Sequence, residues 1–233
     1  MTHDEKLLKM RITPKFLSVK EVPSLFWSSP KALTIKPPLV SVLFLILGLT
    51  LFGLGEALLV AAGVGVSPWT VLAQGITHIT GWSIGLATFV TSFVVLFCWI
   101  PLRQIPGIGT ILNAVIIALV LEFLLPYLPT FDHLLLQLGE ATLGVLVTGI
   151  GGGLYLIANL GPGPRDGLMT GLQKVTDLPI AWVRSGLELT VIAFGWTLGG
   201  TVGFGTVLFA LGIGPSVAAS MYGFKRVFGK PKI

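Results

Sequence analysis

Long apolar runs, punctuated by short breaks rich in glycine and proline, follow one another from Leu39 to Tyr222. A run of eighteen or more such residues is long enough to cross a hydrocarbon core of roughly 30 Å as a helix. The pattern predicts six crossings, at about Leu39 to Ala62, Trp82 to Leu102, Thr110 to Leu128, Leu134 to Ala158, Ile180 to Leu198 and Thr206 to Tyr222. Over this lies a second pattern. Slid against itself by 96 positions, the chain matches without a gap from Gly53/Gly149 to Ala114/Ala210, with Gly55 on Gly151, Gly65 on Gly161, Pro68 on Pro164 and Gly75 on Gly171. Further along, Gly107, Gly109 and Thr110 fall on Gly203, Gly205 and Thr206. Ungapped coincidence of this punctuation predicts a duplication, with one repeat over 39–130 and the other over 131–222. Three crossings per half is an odd number, so the second half enters the bilayer from the opposite face. The expected fold is an all-α membrane protein of two inverted three-helix repeats.

Each half also carries a break followed by a short amphipathic stretch. The first break is Gly63-Val64-Gly65-Val66-Ser67-Pro68 and the second Gly161-Pro162-Gly163-Pro164. Proline is favoured at the first position of a helix, so a helix should start at Pro68 and another at Pro164. About a dozen residues span only roughly 18 Å, so these helices are either re-entrant or interfacial. If they dip in, their amino ends offer unpaired N–H groups and partial positive charge to an anion. Trp69-Thr70 in the first copy is replaced by Arg165-Asp166 in the second; an adjacent Arg and Asp can also simply cap and pair locally.

Composition strengthens the membrane reading. Charged residues make up 11% of the chain and mean hydropathy is +0.91, which leaves too little polarity for a water-soluble surface. The net charge of +5 is concentrated at the ends rather than in a nucleic-acid-binding patch. With the N-terminus inside, Lys6 to Lys36, Arg103, Arg165, Lys174, Arg184 and Lys225 to Lys232 all fall at the cytoplasmic face, and the outward segments carry no Lys or Arg. The positive-inside rule then places both termini in the cytoplasm of a bacterial cell, as basic tails over 1–38 and 223–233. Cys98 has no partner for a disulfide and reads as inert packing.

Ionisable residues inside spans are costly and need a reason to be there. Glu56 is the deepest; its repeat mate is Gly152, in a run of three glycines suited to close helix packing. Arg184 and Glu188 lie four apart on one helix face, where they can pair. Glu122 and Glu140, nearer the outer ends of their spans, are expected in hydrated headgroups. No phosphate-binding loop, HExxH or GxSxG occurs, so neither an enzyme nor a cofactor or metal site is expected. Gly212-Ile213-Gly214-Pro215 is expected to loosen the last span.

The segments Gly161-Pro162-Gly163-Pro164-Arg165-Asp166-Gly167-Leu168-Met169, Arg184-Ser185-Gly186-Leu187-Glu188-Leu189 and Gly203-Phe204-Gly205-Thr206 together resemble the YczE/YyaS/YitT group of bacterial membrane proteins. The first half adds Gly65-Val66-Ser67-Pro68-Trp69 and Gly107-Ile108-Gly109-Thr110. The resemblance implies an integral membrane protein and brings no substrate with it. The residues themselves favour a transporter or exporter of a small molecule, an anionic one if the helix ends dip in. Its pathway would be lined by Glu56, Gly65, Pro68, Gly161, Gly163, Pro164, Arg165, Asp166, Arg184 and Glu188, with the bilayer as its other partner. The alternative is a non-transporting membrane partner that docks through its basic tails.

Overall fold

The structure is a computed structural model describing residues 22–229; the tail lysines and Arg11 within 1–21, and Lys230 and Lys232, lie outside the described residues. The described residues form eight α-helices and no strand: α1 (Leu39–Ala62), α2 (Pro68–Thr80), α3 (Ile84–Trp99), α4 (Ile108–Leu124), α5 (Leu134–Ala158), α6 (Pro164–Thr176), α7 (Ile180–Thr197) and α8 (Phe204–Phe228). An offset of 96 residues carries α2 onto α6 end for end, and brings the first residues of α3 and α4 onto those of α7 and α8. Proline stands first in both short helices, and Ser67 and Gly163 hold the matching extended conformation before them.

By length and composition four helices can cross a membrane: α1, α4 with its terminal 3-10 turn to Tyr127, α5 and α8. A fifth crossing is available if α2 and α3, bent by 114° at their junction, form one broken span. The outer faces of these helices are apolar, with Leu43, Leu47, Leu119, Phe123, Leu143 and Leu211 all exposed, as expected of surfaces solvated by lipid. Cys98 is on such a face and does not pack inside. The last helix runs unbroken through Pro215, so the glycines around it do not open it.

At the centre α1 and α5 cross through glycine. A Cβ on Gly48 would lie 2.9 Å from the Gly151 carbonyl oxygen, and one on Gly55 would lie 2.5 Å from that of Gly144. Ascending numbers on α1 meet descending numbers on α5, so the two helices run antiparallel. Gly144 is the repeat mate of Gly48, and Gly151 of Gly55. The 96-residue offset therefore carries one contact onto the other. Small residues also seat α8 on α5, where the Ser220 hydroxyl donates to the Gly149 carbonyl at 3.0 Å.

The stretch before α1 is more than a tail. Trp27 is fully buried, stacked on Phe44 at 4.5 Å and edge-on to Phe224 and Phe228. Ser28 donates to the Ile157 carbonyl (2.6 Å) and the Ser29 amide to that of Ala158 (2.9 Å), satisfying carbonyls at the C-terminus of α5. Residues 22–38 thus belong to the bundle, and the boundary expected at Leu39 does not separate tail from core.

Candidate functional site

Both breaks turn on a glycine at φ +109°, Gly65 in one and Gly161 in the other, a conformation side chains rarely tolerate. What holds each break is the start of the last helix of the other half. The Gly205 amide donates to the Val64 carbonyl at 2.8 Å, and the Gly109 amide to that of Leu160 at 2.7 Å. Thr110 and Thr206 brace these starts, accepting from the Gly107 and Gly203 amides at 3.1 and 3.2 Å. Thr110 in addition donates to the Pro162 carbonyl at 2.7 Å. A Cβ on Gly65 would sit 2.6 Å from the Gly203 nitrogen, and one on Gly161 3.0 Å from the Gly107 Cα. Gly65 and Gly161 are joints between the halves, and neither lines a cavity with Arg165.

From these joints α2 and α6 bring the side chains of their second residues, Trp69 and Arg165, together. The Arg165 guanidinium lies over the Trp69 ring, 5.3 Å from its centroid. Arg165 and Trp69 themselves stand 96 positions apart. Beside their contact Val95 and its mate Val191 share one apolar cluster with Trp69, Trp99 and Leu168. Trp99 fills the space left by Gly167 and donates its indole N–H to the Pro164 carbonyl at 2.9 Å. The reciprocal place on the other side is Gly195, pressed against the backbone of Val71 and Leu72.

Next to the Arg165–Trp69 contact is a cavity of about 310 Å³. Of the residues expected on a pathway, Gly163, Arg165, Asp166, Arg184 and Glu188 line it, while Pro68 and Pro164 lie behind it. Three lining pairs stand 96 positions apart, Trp69 with Arg165, Asn113 with Phe209 and Ile117 with Ile213, so both parts of the chain contribute matching positions to the cavity. From there it runs past Gly152, Tyr155, Gly163 and Asp166 to Arg184 and Glu188. Its exposed lining residues Asp166 and Arg184 have as counterparts Thr70 and Thr88, 1% and 2% exposed, while Glu56, Leu59 and Ser67, the counterparts of Gly152, Tyr155 and Gly163, do not line it. One half leaves a hollow where the other is filled.

The filling is polar. Glu56 Oε2 accepts hydrogen bonds from Ser67 and Thr70, both at 2.7 Å, while Oε1 has no partner among the described residues. Glu56 is therefore bonded across its own break and not to a facing helix. On the other side Asp166, the mate of Thr70, accepts from the Tyr155 hydroxyl at 2.5 Å. Asp166 is tied to α5 and forms no ion pair with Arg165, which overturns the local pairing expected of adjacent charges. The ion pair the described residues do contain is Arg184 Nε to Glu188 Oε1 at 2.8 Å.

Glu140 departs from expectation as well. It is 7% exposed, with neither carboxylate oxygen bonded among the described residues, and so faces the bundle and not a hydrated surface. Among the lining residues not anticipated from sequence are Asn113, Tyr155 and Phe209. A polar amide in the otherwise apolar α4 is the signal that could have marked Asn113; Phe209 and Tyr155 give none.

Residues 39–222 match DUF6198, described as a family of unknown function. The chain is similar to an uncharacterized protein of Haemophilus influenzae, at 41% identity over 199 residues covering 85% of this chain and 90% of the relative. It is also similar to the uncharacterized membrane protein YczE of Bacillus subtilis, at 35% identity over 177 residues, 72% of this chain and 79% of the relative. No solved structure matches it.

Proposed function

The chain belongs to the DUF6198 family of YczE-like membrane proteins, and from that premise we propose that it is a small-molecule transporter working by alternating access between two inverted halves. The carrying observation is the cavity, open along one set of residues while the repeat mates of that set are sealed. In a twofold machine the second state exchanges the two sets, closing Gly152 and Gly163 and opening Glu56 and Ser67. Six crossings by α1, α3, α4, α5, α7 and α8 are supported by the antiparallel α1–α5 contact and by charge segregation along the chain. Contact between Trp69 and Arg165 favours re-entrant over interfacial placement for α2 and α6, because helices lying on opposite faces could not touch. Charge segregation assigns the second break to the cytoplasmic side, so the open cavity is the inward-facing one. Glu56 is the coupling carboxylate in this reading, exposed only when the first break opens, and Arg184–Glu188 stands at the inward mouth.

The test needs no substrate. In a Cys98→Ser background, Ser67→Cys and Gly163→Cys are labelled with a membrane-impermeant thiol reagent from each face of oriented vesicles. Alternating access expects Gly163→Cys to react from inside and Ser67→Cys from outside, with a cross-link that traps one suppressing the other. A Ser67→Cys that never reacts in folded protein rejects the mechanism. Reporter tags placing Arg103 and Arg165 on different sides of the bilayer would reject the topology beneath it.

A further inference from the structure

Resting on the transport reading, we infer that the cavity binds an amphipathic monocarboxylate, its carboxylate on Arg165 and its apolar body along Phe52, Ile117, Phe209 and Ile213. The charged groups around the cavity are unequally occupied. Asp166 is held by Tyr155, Glu188 by Arg184, and Glu56 by Ser67 and Thr70. Arg165 alone has no hydrogen bond or ion pair among the described residues, although a guanidinium carries five N–H donors. Trp69 fixes the plane of that guanidinium from one face and takes none of its donors. Those donors form a fork matched to a carboxylate, on the lining of a cavity and in the first turn of α6.

The surroundings limit the ligand further. Asp166 and Glu188 line the same cavity as Arg165, which penalises a second negative charge and disfavours phosphate esters and dicarboxylates. The remaining wall is largely aromatic and aliphatic, with the Asn113 amide as an extra donor near the head. At about 310 Å³ the space is at the small end of ligand pockets, roughly 300 to 1,000 Å³, so it suits a metabolite-sized acid and not a lipid or a peptide.

Binding is measured on purified full-length protein in detergent, by titration calorimetry, with acids from propanoate to 3-phenylpropanoate, the neutral 3-phenylpropanamide, the zwitterion phenylalanine and the dianion phenyl phosphate. We expect saturable binding of 3-phenylpropanoate, at least tenfold tighter than the amide, phenylalanine or phenyl phosphate, and weakened at least tenfold by Arg165→Gln with partial recovery in Arg165→Lys. Amide binding equal to acid binding in the wild type overturns the inference, and that comparison stands even if Arg165→Gln does not fold. Equal binding of phenylalanine, or no saturable binding across the acid series, overturns it too. Because no flux is read, carboxylate binding with a failed thiol-labelling test would sink transport and leave the ligand class standing, and the converse result would do the opposite.

Discussion

Gly55→Ala adds one methyl group to the α1–α5 crossing, and its cost follows from what that methyl meets. The new Cβ would lie 2.5 Å from both the Gly144 carbonyl oxygen and the Thr148 nitrogen, where ordinary contact begins near 3.4 Å. The Thr148 hydroxyl oxygen lies closer still, but the other two obstacles are backbone, so even if that side chain swings aside the helices themselves must part. Separation by roughly 1 Å forfeits up to about half of the dispersion energy of each contact along the seam. Overpacking of this kind costs about 1–3 kcal/mol, against which alanine regains roughly 0.5–1 kcal/mol of helix propensity over glycine. A net loss of about 1 kcal/mol lowers the folded-to-unfolded ratio roughly fivefold. The assay is reversible unfolding in mixed micelles by SDS titration, with Gly139→Ala as the control, since a Cβ there meets nothing within 4 Å. Gly139→Ala should be neutral or slightly stabilising. Gly151→Ala, the repeat mate, meets the Gly48 carbonyl oxygen at 2.5 Å and should cost about as much as Gly55→Ala. If Gly55→Ala is as stable as Gly139→Ala, the glycine seam is not what holds the halves together.

Trp27→Ala empties a fully buried aromatic site and should cost about 3–5 kcal/mol in the same titration, although it lies before the first crossing. Ser67→Ala leaves Glu56 Oε2 with one donor and should cost about 1–3 kcal/mol, with Ser67→Thr recovering much of it. Gly167→Ala drives a methyl into Trp99 and destabilises alone; combined with Trp99→Phe it should lose less than the two single effects added, a positive coupling read from a double-mutant cycle.

The sequence is most informative where the backbone is constrained. Gly65, Gly161, Pro68 and Pro164 announce the breaks because few other residues can form them, and their shared offset exposes the duplication. Gly107-Ile108-Gly109-Thr110 and its mate are visible as motifs, yet nothing in a linear chain says that each closes on the break of the opposite half. The Arg165–Trp69 contact is hidden for the same reason, since nothing in the alignment of the repeats says that two aligned positions touch. Trp27 is missed because the lysines around it dominate the composition of its segment. Glu140 misleads because distance from the middle of a span says nothing about which way a helix face turns.

Trp99 against Gly167, and Gly195 against Val71, divide bulk unequally between two equivalent joints. Two copies of the first half could not pair as the halves do here, for Trp99 would collide with Val71, and two copies of the second would set Gly195 before Gly167 and leave a void. At this joint the two parts of the chain fit as lock and key, and neither could stand in for the other.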